Sequence, residues 1–132
     1  MKLKIERHWA MPSHKTFTIA PLKKLINEEL GDDYVDPFPY PFKEDAIKYL
    51  KNIPANSVNH LVFDPPYSSY QLKTKYENAG LSLNNKYDAS YWSNCKKEIS
   101  RIVKEGGKVI SFGWNSNGIG KKYGFKIYKI VL

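Results

Sequence analysis

The feature that most restricts the fold of this chain is an apolar run that stops abruptly. Val58 to Phe63 reads as a strand with a continuous apolar end, Leu61-Val62-Phe63. Continuous rather than alternating apolarity predicts a strand covered on both faces, as in parallel α/β sheets. Asp64-Pro65-Pro66-Tyr67 follows at once. Each proline fixes its own backbone and removes a hydrogen-bond donor, so the strand ends at Phe63.

The flanking segments fit the same architecture. Thr16-Phe17-Thr18-Ile19 alternates and predicts a short strand. Pro21 opens a helix with the stripe Leu22, Leu25, Ile26 and Leu30, and Gly31 stops it. Tyr34-Val35-Asp36 predicts a short strand, and the proline-aromatic run Pro37 to Phe42 excludes regular helix or a central strand. A second helix is predicted over Asp45–Ile53, with Ala46, Tyr49, Leu50 and Ile53 on one face. From Ser68 to Tyr87 the sequence is polar without clear period, which predicts an irregular loop. The strongest helix begins near Asp88 or Ser90, carries Trp92, Cys95, Ile99, Ile102 and Val103, and ends at Gly106-Gly107. Lys108 to Phe112 and Phe125 to Leu132 complete the strands, whereas Met1 to Ser13 shows no period. Strand, helix, glycine pair, strand is the rhythm of a parallel crossover.

At 132 residues, with 42% hydrophobic and 26% charged residues, the chain reads as one globular domain. No apolar run reaches the length of a membrane span, and no signal-peptide core is present. A single cysteine excludes an intrachain disulfide framework and agrees with a reducing cytoplasm. The net charge of +8 suits a polyanionic partner, though a solvated lysine-rich surface gives the same number. Cys95 sits on the apolar helix face and reads as core, and the three histidines lack metal-ligand spacing.

The chemistry concentrates in Asp64-Pro65-Pro66-Tyr67. Carboxyl ends of parallel strands are where ligands bind in open α/β sheets. The Asp64 carboxylate and the Pro65 carbonyl can each accept one N–H of an aromatic amine. Such a grip localises a lone pair otherwise delocalised into the ring. The two prolines preorganise the acceptors, and Tyr67 can stack on a base face. A plain proline turn is the alternative. At background frequencies this four-residue string arises by chance in well under about 1% of chains of this size, which favours function.

At these residues the chain resembles the adenine-specific (N6) DNA methyltransferases, and most of all their small phage and prophage members. Their Asp-Pro-Pro-Tyr motif is matched by Asp64, Pro65, Pro66 and Tyr67. Weaker likenesses run through Met11-Pro12-Ser13, Thr16 to Leu22, Asp36-Pro37-Phe38, Asp45 to Leu50, and Gly106 to Gly120. The resemblance implies a Rossmann-like, mostly parallel sheet and S-adenosylmethionine as methyl donor. Asp36, Pro37, Phe38 and Asp45 would then lie at the donor. Tyr70, Lys73, Lys75, Asn115, Asn117 and Lys121 are candidates for contact with the nucleic acid. It further implies site-specific methylation of a flipped adenine in DNA. RNA adenine or cytosine N4 are alternative targets, and a methyltransferase remnant that only binds nucleic acid or a partner is another alternative. The chain departs from the family after Phe38. Pro39-Tyr40-Pro41-Phe42 replaces a small-residue loop, and Asp45 follows too soon for the strand whose acid holds the donor ribose. The expectation is therefore an abbreviated methyltransferase-like domain over residues 1–132. Its cofactor loop and last strand are reduced, and it has no separate target-recognition domain. The open edge of its last strand would be available to a second copy in a homodimer.

Overall fold

The computed structural model describes residues 3–6, 20–39, 42–66, 68–82, 90–113 and 118–131. The elements in order are β1 (Lys4–Glu6), α1 (Ala20–Glu29), α2 (Ala46–Lys51), β2 (Val58–Phe63), α3 (Ser69–Asn78), α4 (Ser90–Ile102), β3 (Val103–Ser111), a 3-10 helix (Lys121–Tyr123) and β4 (Lys129–Val131). The class is mixed α/β with short parallel strands: β2 pairs with β3, and β1 with β4, both in parallel. These are two separate pairs rather than one continuous sheet among the described residues. The expected strand at Thr16–Ile19 lies outside the described residues.

Strand β2 is the axis of the molecule. On one side it pairs with β3. On the other, Val35 forms an isolated parallel bridge to Leu61, which is what remains of the strand expected at Tyr34–Asp36. Leu61, Val62 and Phe63 are all buried, and successive side chains point to opposite faces. Val62 meets Ile26 and Leu30 of α1. Leu61 and Phe63 enter the main core with residues of α2, α3 and α4. Helices thus cover both faces, as the unbroken apolar run predicts.

The helix ends follow from local chemistry. At the end of α1, Gly31 adopts φ +69°, and its N–H bonds to the Ile26 carbonyl. Asp45 caps α2 by accepting the Lys48 N–H at 3.2 Å. Ala46, Ile47 and Leu50 are the buried positions of α2, with Tyr49 and Ile53 half-buried. Arg101 of α4 donates to the Leu50 carbonyl at 3.0 Å and fastens the two helices together.

Four expectations require correction. Most of the segment read as an irregular loop forms α3. Ser68 caps it by accepting the Gln71 N–H at 3.2 Å, and Leu72 and Tyr76, one turn apart, bury completely. Two apolar anchors among polar residues suffice for a helix when each is fully buried, yet they leave almost no periodic signal. The glycine pair does not end α4. The helix gives way to β3 at Val103, and Gly106 (φ +80°) and Gly107 lie within β3, where its register against β2 shifts. A Cβ on Gly107 would stand 2.7 Å from Val103 Cγ1 and 2.9 Å from the Lys104 carbonyl, so no side chain fits there. The N-terminal stretch without period contributes β1. Finally, the last strand is not bare: β4 pairs with β1 in register Lys4–Lys129, Ile5–Ile130 and Glu6–Val131. Three residues of mixed charge form a strand because β4 supplies the partner.

Replacing Leu72 by alanine should cost about 2–5 kcal/mol, as for other buried leucines. Tyr70→Ala, on the exposed side of the same helix, should stay within about 0.5 kcal/mol. Urea denaturation of both variants measures the contrast.

Candidate functional site at the carboxyl end of strand β2

The site forms where two parallel segments end side by side. Val35 lies against β2, with the Val35 N–H bonded to His60 O at 2.9 Å and the Val62 N–H to Val35 O at 2.8 Å. Asp36 and Asp64 therefore leave the ends of adjacent strands, the position where α/β proteins hold ligands. Burial pushes the Asp36 carboxyl up to about 6, and the negative charge of Asp64 adds to the rise. The Phe38 N–H, bonded to Asp36 Oδ1 at 3.0 Å, and the charge of Lys75 oppose it. Lys75 also lies over the Phe42 ring, 5.4 Å from its centroid.

The turn after Asp64 is anchored from outside. Trp92 of α4 donates its indole N–H to the Pro66 carbonyl at 2.9 Å. Pro65 is buried and Pro66 half-buried. The Trp92 ring packs edge-on against Tyr91, with centroids 5.7 Å apart. Tyr91 in turn meets the Tyr76 hydroxyl, and Tyr76 bonds Asp45 Oδ1. Tyr76 spends its one proton on Asp45, so Tyr91 is the donor of the middle bond. Burial raises both phenols well above their ordinary value and keeps them protonated, and it pushes the Cys95 thiol up to about 12. Cys95 is fully buried and not positioned as a nucleophile.

The expected site residues separate into three groups. Asp36, Asp64, Pro65, Pro66 and Lys75 come together. Pro37, Phe38 and Asp45 lie nearby in packing roles. Pro37 is fully buried, and Phe38 packs on Phe42, Phe63 and Tyr91 at centroid distances of 5.7, 6.1 and 6.4 Å. Both Asp45 oxygens already accept internal donors. Tyr70 is 77% exposed on the first turn of α3, and Lys73 pairs with Glu77 on its solvent side. Lys121 is exposed on the 3-10 helix, which rests on α4 through the bond from Ser100 Oγ to Tyr123 O. Ser100 lies eight residues beyond Trp92, about 12 Å along the helix, so Lys121 is not brought to the acids. Tyr67, Asn115 and Asn117 lie outside the described residues. Sequence reasoning took Trp92 for core and missed Tyr76 and Tyr91. No periodic signal marks a side chain that bonds a carbonyl 26 residues away.

The residues present can be tested against S-adenosylmethionine. Two neighbouring carboxylates suit the cationic amino-acid end of that molecule. Its adenosine end finds no seat: Pro37 and Phe38 are core, Asp45 is committed to a cap, and aromatic rings fill the space beside them. A cleft of about 1130 Å³ lies elsewhere, between α1, β3 and β4, and none of the expected site residues lines it. The full donor does not fit the described residues.

No protein-family model, curated protein or solved structure matches the chain.

Because Asp36 titrates near 6 when folded and near 3.8 when unfolded, the native state binds the extra proton between those values. Its contribution is fully present below about pH 4 and is lost as pH rises through 6. Asp36→Asn should stabilise the protein at pH 8 by on the order of 2 kcal/mol and flatten this part of the pH–stability curve. Thermal melts from pH 4 to 8 give the comparison.

Proposed function

We propose that this chain acts on the exocyclic amine of adenine in DNA, as an N6-adenine methyltransferase-type domain with a Rossmann-like arrangement of parallel strands. The observation that carries the reading is the turn Asp64-Pro65-Pro66. It leaves the carboxyl end of a buried parallel strand with one of its carbonyls already satisfied by Trp92. The Asp64 carboxylate and the Pro65 carbonyl then stand as acceptors for the two amine protons. Drawing both N–H bonds toward oxygen localises the nitrogen lone pair, and acceptors already in place need no reorganisation when charge develops. The adenine leaves its stack to reach them, at a cost of a few kcal/mol, and Tyr67 and the exposed Tyr70 are the rings that offset it. The net charge of +8 supports phosphate contact, with Lys73 and Lys121 among the exposed cations.

S-adenosylmethionine would bring a methyl group already activated on a sulfonium. The neighbouring Asp36 and Asp64 support a cationic partner at this point. The buried Pro37 and Phe38 favour a second reading, a remnant domain that binds the base and transfers nothing.

Incubation with labelled S-adenosylmethionine and DNA, RNA or protein separates the readings. Label on N6 of DNA adenine, reduced at least about 100-fold by Asp64→Ala in a protein that stays folded, is the result expected of the enzyme. Asp64-dependent binding of adenine-containing DNA without transfer supports the remnant. Label on RNA or on cytosine N4 moves the substrate class. Absence of both transfer and Asp64-dependent binding rejects the proposal.

A further inference from the structure

We infer that Trp92 is a positioning residue which, by occupying the Pro66 carbonyl, sets the number and direction of the acceptors that read the base, and so makes the site selective for an amine over a ring carbonyl. The inference rests on the function proposed above and goes beyond it, because it assigns substrate discrimination to a side chain that touches no substrate.

The argument begins with the acceptors of the turn. Asp64, Pro65 and Pro66 offer one carboxylate and two adjacent backbone carbonyls. A turn presenting all of them could rotate and satisfy a ligand in several ways. The Trp92 indole is a donor with no acceptor function, and at 2.9 Å it takes the Pro66 carbonyl out of that set. No N–H of the described residues bonds the buried Pro65 carbonyl. Asp64 and Pro65 therefore face the base as two acceptors, and an exocyclic amine has two donors to match them. Hypoxanthine presents an oxygen at the same ring position. Its lone pairs would meet the Asp64 carboxylate and leave the Pro65 carbonyl without a partner, which is the strong form of polar discrimination.

The anchor is stiff enough for this role. Trp92 lies near the start of α4, two residues after Ser90, and its ring is braced edge-on by Tyr91. Tyr91 is held through Tyr76 to the Asp45 cap of α2. The indole N–H is thus fixed relative to two helices rather than free to follow the turn. A phenylalanine at this position keeps the ring contact with Tyr91 and removes the bond to Pro66.

The test compares binding of oligo(dA) and oligo(dI) of about a dozen nucleotides, which present equal phosphate charge in every register. The wild-type protein should prefer oligo(dA) by about ten-fold or more. In Trp92→Phe that ratio should fall to below about three-fold. Partial unfolding lowers both affinities equally and leaves the ratio unchanged, so the ratio separates positioning from mere support of the fold. A wild-type ratio near one overturns the amine reading and this inference with it. A wild-type preference that Trp92→Phe retains in full overturns the inference alone. Should Trp92→Phe fail to fold, the wild-type protein carries a second test. The three tryptophans give separate indole N–H resonances, assigned through Trp9→Phe and Trp114→Phe. The Trp92 signal should shift on adding oligo(dA) and hold still with oligo(dI). A signal that responds equally to both, or to neither, overturns the inference.

Discussion

The two-sided pairing of strand β2 is the constraint on which the rest of this structure depends. Its backbone is engaged by Val35 on one side and by β3 on the other, with the Phe112 N–H bonded to Phe63 O at 2.9 Å at the very end. Its side chains are buried on both faces. A strand held in this way cannot slip by one residue, because a slip would exchange Val62 with Leu61 and Phe63 between unlike layers. The position of Asp64 is therefore inherited from six residues of buried backbone, and the acid needs no support of its own to lie at the strand's end.

What the strand does not supply is the direction of the chain beyond Asp64. That comes from α4, through Trp92, and from the hydroxyl relay Tyr91–Tyr76–Asp45 behind it. The relay places three oxygen-bearing side chains in or beside the aromatic core, where each unmet polar group would cost about 1–3 kcal/mol. Each is met by another, so the cap of α2 and the packing of α3 and α4 form one connected unit. The same unit accounts for the lack of room for adenosine. Phe38 and Phe42 pack into it, and the segment that would have to open around a nucleoside is part of the core.

Much of the fold could be read in advance where burial is periodic or continuous. The β2 run, the stripes of α1 and α4, the Asp45 cap and the Gly31 stop all show themselves within a few residues. The failures share one cause. α3 buries only Leu72 and Tyr76, β1 has three residues of mixed charge, and both are held by distant contacts with no local signature. The glycine pair was misread because a helix stop and a tight place within a strand call for the same residue. At the site, Asp64 and Asp36 were legible as strand-end acids. Phe38 and Asp45 were assigned to a ligand but serve the core and a cap, since an aromatic or an aspartate reads alike in either role.

The sequence by itself determined that a parallel, two-sided strand ends in an acid and two prolines. Those properties follow from burial and from backbone stereochemistry, which act over a few neighbouring residues. Only the tertiary structure decided which carbonyl of that turn is closed and whether room remains for a second ligand beside it. Both outcomes depend on side chains 26 and more residues apart in the chain, and only packing brings such groups within reach of one another.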